Sequence, residues 1–299
     1  VADKASQGVS GVRKARRIAQ AIVDLIKEDT SLILGLATIK EYDDYTYSHS
    51  VNVSLLATCL GRYVGLSRVF LEYLSVCGLF HDLGKVGVPK EVLLKRGELS
   101  QKEWRDMQKH PLLGVRKILM LNADKVLRSK IIMAPFEHHL NPDLTGYPKT
   151  HFMKKLSLMG KILRIADVYE ALTAERVYRS RSFTPDEALR KMWSEGENSF
   201  DPILLKSFIN MMGIYPIGST VELNDGRTAI VMEYPDGNRR DMPLVMTLRD
   251  GGKGGMEGKE MIDLQAEARK TGSFGLYIAR GIPSSRIGVP VAKFFLNDN

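Results

Sequence analysis

The chain has 299 residues and a formal net charge of +8. With 44% hydrophobic and 26% charged residues it has the composition of a folded globular protein, which excludes disorder along its whole length. No run approaches the roughly 18 apolar residues that a membrane span needs. The opening Val1-Ala2-Asp3-Lys4 has neither a signal-peptide core nor an initiator methionine, so the chain reads as cytoplasmic and as a trimmed or excerpted piece. A basic balance favours anionic ligands. The tract Arg13-Lys14-Ala15-Arg16-Arg17, however, fits a solvated helix face better than a nucleic-acid patch, and no nucleic acid polymer is expected as partner. Cys59 and Cys77 sit in apolar helical runs without C-x-x-C spacing, as buried free thiols of a reducing compartment do.

In chain order, Ile18, Ile22, Leu25 and Ile26, then Leu32 and Leu36, recur at helical spacing, as do Val53, Leu56 and Leu60. Ser100 and Glu103 have capping-box spacing and open a helix running toward His110. Residues 156–175 form another strong helical pattern. Beyond Met212 the texture changes. Gly213 to Gly218 is a cluster of breakers, followed by short β-type runs at 220–223 and 228–232. Asn224-Asp225-Gly226 and Pro235-Asp236-Gly237-Asn238 mark turns, 251–255 reads as a glycine loop, and 274–279 and 289–295 read as further strands. The expected fold class is α+β. A helical segment (1–40) leads into an all-helical domain (41–212), and a small antiparallel β-domain (213–299) follows.

The chemistry concentrates in the helical part. Five of the six histidines, His49, His81, His110, His138 and His139, lie between positions 49 and 139. Asp82 follows His81, and Asp167 stands inside the apolar helix Ile162-Leu163-Arg164-Ile165-Ala166-Asp167-Val168, where a carboxylate is costly unless it meets a cation. Imidazole with carboxylate is a ligand set for zinc, iron or manganese. Successive side chains on a helix diverge by about 100°. His81-Asp82 therefore suits a helix end, with Gly84 terminating the turn, and His138-His139 ahead of Pro142 does likewise. Adjacent ligands at such ends can serve two metals, with Asp82 between them.

The segment His81-Asp82-Leu83-Gly84-Lys85-Val86-Gly87-Val88-Pro89 resembles the HD motif of the HD-GYP family, bacterial phosphodiesterases of cyclic di-GMP. The resemblance continues in order through residues 93–99, His110-Pro111-x-x-Gly114, His138-His139, Gly146-Tyr147-Pro148, 165–173 and Arg176-Val177-Tyr178-Arg179, and spans about residues 40–212. It implies an HD-type helical bundle with two divalent metal ions. Iron or manganese is favoured, and zinc or nickel is accessible by raw affinity. His49, His81, Asp82 and Asp167 would ligate one metal, and Asp82 would bridge to a second held by His110, His138 and His139. Lys85 would bind a phosphate oxygen, Arg176 and Arg179 would grip the ligand's phosphates, and Tyr147 would close near the substrate.

Three positions depart from the family pattern. Tyr45 stands where members with a third metal carry Glu, so a two-metal site is expected. Leu140 replaces a Glu that can orient a ligand histidine, and Leu144 replaces a Gly, which predicts an altered loop path. The implied reaction is hydrolysis of the 3′–5′ phosphodiester of cyclic di-GMP by a bridging hydroxide, giving linear pGpG, with a further cut to GMP left open. Three alternatives stay open: the same chemistry on 3′,3′-cyclic GMP-AMP, a catalytically silent cyclic dinucleotide receptor, and a general HD nucleotide phosphohydrolase. Homodimerisation, and an upstream sensory domain or partner, are equally open.

Overall fold

The computed structural model describes residues 9–38, 45–95, 97–151, 153–174, 182–235, 241–252, 255–271, 275–288 and 290–296. Helix α1 (Val9–Glu28) lays Val12, Ala15, Ala19, Ile22, Val23 and Ile26 into the core, while Arg13, Lys14, Arg16 and Arg17 face water as expected. Leu25 does not join this stripe. It is 49% exposed, because it sits one position and so about 100° away from Ile26. Helices α2 (Thr30–Thr38), α3 (Tyr45–Tyr63) and α4 (Arg68–Phe80) follow, and their apolar faces share one core with α1.

A 3₁₀ turn (Leu83–Gly87) and α5 (Lys90–Leu93) lead to α6 (Gln101–Met107), α7 (His110–Met120), α8 (Lys125–Ile131) and α9 (Met133–Glu137). The expected capping box opens α6: the Glu103 N–H donates to Ser100 Oγ, and the Ser100 N–H donates back to the Glu103 carboxylate. Helix α10 (Leu158–Thr173) is the long helix expected at 156–175 and is capped by Ser157. Helices α11 (Pro185–Glu195) and α12 (Pro202–Met212) close the helical part. Among the described residues no helix is long and apolar enough to cross a membrane. Cys59 and Cys77 are buried free thiols; burial pushes Cys59 up to about 12 and Cys77 further still.

Five antiparallel strands make the sheet: β1 (Thr220–Leu223), β2 (Thr228–Glu233), β3 (Leu244–Asp250), β4 (Met256–Asp263) and β5 (Ile278–Gly281), in the order β4-β3-β2-β1-β5. Helix α13 (Leu264–Thr271) follows β4. Successive residues of β2 serve opposite faces, as the two-residue strand period requires. Ala229 and Val231 pack with Val221, Val245 and Leu264, whereas Ile230 packs with Leu248, Ile287 and Val291. Both faces are therefore covered.

Two sequence expectations need correction here. Instead of a strand at 289–295 the chain forms a helical turn, α14 (Lys293–Leu296), whose Phe294 and Phe295 pack on the sheet. The strand expected at 274–279 begins only at Ile278, with Phe274 outside the described residues. Strands β3 and β4 were not anticipated; they flank the glycine-rich stretch expected as a loop, of which 253–254 lie outside the described residues, and the Gly251 N–H donates to the Gly255 carbonyl at 2.9 Å. The sheet abuts the helical part at α2, where a Cβ on Gly35 would stand 3.0 Å from Ile217.

Candidate metal centre

Close helix crossings bring the histidines together. At Gly78 of α4 an added Cβ would lie 2.5 Å from the Ser54 backbone, so this glycine lets α4 lie directly against α3. Ser54 Oγ completes the contact by donating to the Ser75 carbonyl at 2.9 Å. His49, one turn earlier on α3, thereby meets His81 at the end of α4, their Nε2 atoms 3.1 Å apart. Gly84 acts differently from the expected terminator. A Cβ there would fall 1.8 Å from the His110 carbonyl, so its bare Cα admits the start of α7 and brings His110 alongside Asp82. His138 caps α9, and the helix ends as His138-His139 required.

The seven side chains converge in two pockets. In the first, His49 Nε2 lies 3.4 Å from both Asp82 Oδ2 and Asp167 Oδ1, and His81 Nε2 lies 3.3 and 3.7 Å from the same atoms. In the second, one ring nitrogen from each of His110, His138 and His139 lies within 4.8 Å of the others. Asp82 joins the pockets. Its Oδ2 serves the first, while its Oδ1 points into the second, 3.4 Å from His110 Nε2 and 3.9 Å from His138 Nε2. All seven residues are buried except His139, which is half-buried.

Backbone partners fix the imidazole tautomers. His81, His110 and His138 each donate Nδ1–H to a carbonyl, of Gly78, Met107 and Pro135 respectively. A carbonyl only accepts, so in the neutral ring the proton stays on Nδ1 and the Nε2 lone pair faces inward. Burial lowers His110 and His138 below the ordinary imidazole value and holds them neutral. Their Nε2 atoms nevertheless face each other at 3.3 Å, lone pair to lone pair, beside a buried Asp82 Oδ1 that has no hydrogen-bond partner. Such an arrangement is repulsive without a cation between the donors, and it fits a divalent metal.

In the first pocket burial opposes charge on His49, but Asp167, Asp82 and Glu170 outweigh it and raise that imidazole well above its usual value. Burial likewise opposes ionisation of Asp82 and Asp167. For Asp82 the neighbouring imidazoles of His81 and His49 and the Lys85 ammonium overcome it, for Asp167 the hydrogen bond to His49 does, and both stay ionised well below the usual range. A proton on His49 holds this anionic pocket together where a metal would displace it.

Lys85 Nζ sits 2.5 Å from Asp82 Oδ2, at the edge of the pair of pockets. Tyr147 covers the second pocket, its ring 4.5 Å from that of His139 and 6.1 Å from that of His110. Arg176 and Arg179 lie outside the described residues, and of Tyr45 only its place at the start of α3 is described. In the loop 140–146 the substitution at 144 is met with a positive backbone angle. Leu144 takes φ 65°, the left-handed conformation that glycine favours, and its N–H donates to the Asn141 carbonyl at 2.8 Å. A Leu there costs on the order of 1–2 kcal/mol. Leu140 is fully buried, and among the described residues no hydrogen bond holds the His139 ring, which packs on Tyr147 instead.

The sequence reading missed Glu170 and Glu137. Glu170 accepts a short hydrogen bond from His49 Nδ1, so a carboxylate orients this ligand and raises its basicity. Its signal was available: three residues after Asp167 on one helix, it shares that face. Glu137 accepts from the Ser157 N–H at 3.1 Å and from the Ser157 hydroxyl, tying the end of α9 to the start of α10.

Residues 7–204 match the family model of the HD domain. The chain is 33% identical over 242 residues to the cyclic di-GMP phosphodiesterase PA4108 of Pseudomonas aeruginosa, which covers 77% of this chain and 57% of that protein. It is also 33% identical over 171 residues to the 3′3′-cGAMP-specific phosphodiesterase 3 of Vibrio cholerae, covering 56% of this chain and 36% of that one. The chain thus spans about half the length of the curated relatives it matches. Among solved structures, Bd1817 of Bdellovibrio bacteriovorus, described as a HDG"Y"P protein, shares the fold with a TM-score of 0.56. Its identity is 18%, over 69% of this chain and 66% of that one.

Proposed function

The chain belongs to the HD-domain family, in its HD-GYP branch, and from that premise we propose that it hydrolyses a 3′–5′ phosphodiester of cyclic di-GMP to linear pGpG. The observation that carries the reading is the Asp82 carboxylate, one oxygen in each histidine pocket and the inner one without a hydrogen-bond partner. In this reading His49, His81, Asp82 and Asp167 hold one divalent metal, and Asp82, His110, His138 and His139 hold the other. Iron or manganese suits the mixed imidazole–carboxylate set, and zinc or nickel can enter by affinity. Bound there, the metal pair supplies Lewis acidity toward a phosphate oxygen and a nucleophile derived from water at neutral pH.

The remaining work falls to the protein. Glu170 and the three backbone carbonyls keep the inward nitrogens aimed, so little reorganisation accompanies binding. Lys85, one-third exposed beside Asp82, turns its ammonium toward the phosphate and offsets charge that develops on the non-bridging oxygens. Tyr147 shields the second pocket from solvent. Arg176 and Arg179 bind the phosphate that is not being cleaved.

A relative named as specific for 3′3′-cGAMP favours a second reading, the same chemistry on that hybrid dinucleotide. The test is a time course of protein loaded with iron or manganese, offered each dinucleotide alone and then both together. The expected result is pGpG accumulating ahead of GMP, with cyclic di-GMP preferred. Preference for the hybrid would support the second reading. Tight binding without product, from protein holding two metals, would overturn hydrolysis in favour of a receptor.

A further inference from the structure

Helix α6 is unusual within the helical part, since none of its residues is buried. It is held in place by its capping box and by Lys95, whose Nζ donates to Glu103 at 2.6 Å. The largest side chain it carries, Trp104, is 45% exposed. An indole left in water costs the protein apolar burial unless it is positioned for something else. Trp104 is positioned. Its ring meets that of Tyr147 edge-to-face, with centroids 5.8 Å apart and planes at 80°. Tyr147 in turn packs against His139 and His110 of the second pocket. The edge-to-face contact fixes the indole and leaves area on it uncovered beside the pocket.

We propose that Trp104 is a base-stacking platform, receiving one nucleobase of the cyclic dinucleotide while the adjoining phosphate lies between the histidine pockets. This rests on the phosphodiesterase reading and adds to it a residue that selects for a ligand with bases. The chemistry matches: a purine presents a flat π-face, and stacking on a tryptophan binds it without a directed hydrogen bond. The alternative, a prop for Tyr147, needs only the contact with that ring and does not use the part of the residue that stays exposed. Because the contact is remote from the reacting phosphate, it contributes to substrate binding rather than to the chemical step.

The chain has two tryptophans, and the other, Trp193, is exposed on α11. In a Trp193→Phe background Trp104 is therefore the sole indole, and its fluorescence reports on stacking directly. With manganese-loaded protein, rapid mixing with cyclic di-GMP should quench that emission, saturating over the concentration range of KM. Trp104→Leu should raise KM roughly tenfold or more with kcat within about twofold, and Trp104→Phe should recover most of the loss. If cyclic dinucleotide is hydrolysed while Trp104 emission and the KM of Trp104→Leu stay unchanged, the platform is refuted and the phosphodiesterase reading stands. Equal loss of kcat in Trp104→Leu and Trp104→Phe would assign Trp104 to propping Tyr147 and would also refute it. Protein that holds two metals and neither binds nor cleaves any cyclic dinucleotide would bring down both proposals.

Discussion

The two histidine pockets share Asp82 but are built differently. In the first, carboxylates do most of the work: Asp167 and Asp82 lie against His49 and His81, and Glu170 backs His49 from behind. Each of its rings has a fixed partner, Glu170 or the Gly78 carbonyl. In the second, Asp82 Oδ1 is the carboxylate oxygen set against three imidazoles, and His139 has an aromatic neighbour where the others have hydrogen bonds. One pocket is anionic, buried and braced; the other is less charged, includes the half-buried His139 and is covered by Tyr147. On the proposed reading, the first pocket would hold its metal firmly and the second would hold a more exchangeable one.

The largest effect should come from the residue the pockets share. Asp82→Ala is expected to empty both and to cut turnover by about a thousand-fold or more, the scale of losing a metal's several kcal/mol of transition-state stabilisation. Elemental analysis and the product time course check it together; two retained metals with normal turnover would break the shared-ligand account. Next, Glu170→Gln should weaken metal binding in the first pocket by about 10- to 100-fold while the second keeps its affinity. A chelator titration resolving the two sites would show which one releases earlier in the variant. If both weaken equally, the pockets are not independent in the way their geometry implies.

A gain is expected from Leu140→Glu. A carboxylate restored beside His139 should give that ring an acceptor and tighten the second pocket by about tenfold. Unchanged release on chelation would show that the packing of Tyr147 already holds His139. The smallest effect concerns the loop that carries Tyr147. Leu144→Gly should relieve the positive φ and stabilise the fold by about 0.5–1 kcal/mol, once glycine's greater freedom in the unfolded chain is counted. A thermal melt of the metal-loaded protein reads it, and a lower Tm would mean that the Leu144 side chain packs usefully.

Where local chemistry decides the structure, the sequence was a sufficient guide. The capping box at Ser100 and Glu103, the helix ends at His81 and His138, and the turn at Asn224-Asp225-Gly226 all follow from backbone groups that need nearby partners. The clustering of histidines and the carboxylate of Asp167 in an apolar helix pointed to a cation, while the division of the seven residues between two sites came from the family resemblance. What the sequence hid depends on tertiary contact. Gly84 reads as a turn residue, yet the carbonyl of His110 is what excludes a side chain there. That Leu144 takes the left-handed conformation, φ 65°, is likewise set by the surrounding loop and not by its own side chain, which disfavours it. Strand β4, Met256–Asp263, carries charged residues at four of its eight positions and so gives no β signal of its own; its pairing with β3 makes it a strand. Residues 289–295 are rich in β-branched and aromatic types, but covering a sheet face with Phe294 and Phe295 suits a helical turn better than another strand.

The central claim is that one carboxylate spans two metals. X-ray absorption at the iron edge of the loaded protein tests it directly, since a bridged pair places a second metal about 3.5–4 Å from the first. The account expects a metal–metal scattering path at that distance in the native protein and its loss in Asp82→Ala. Two bound irons without that path would contradict it, and so would a path that survives the removal of Asp82.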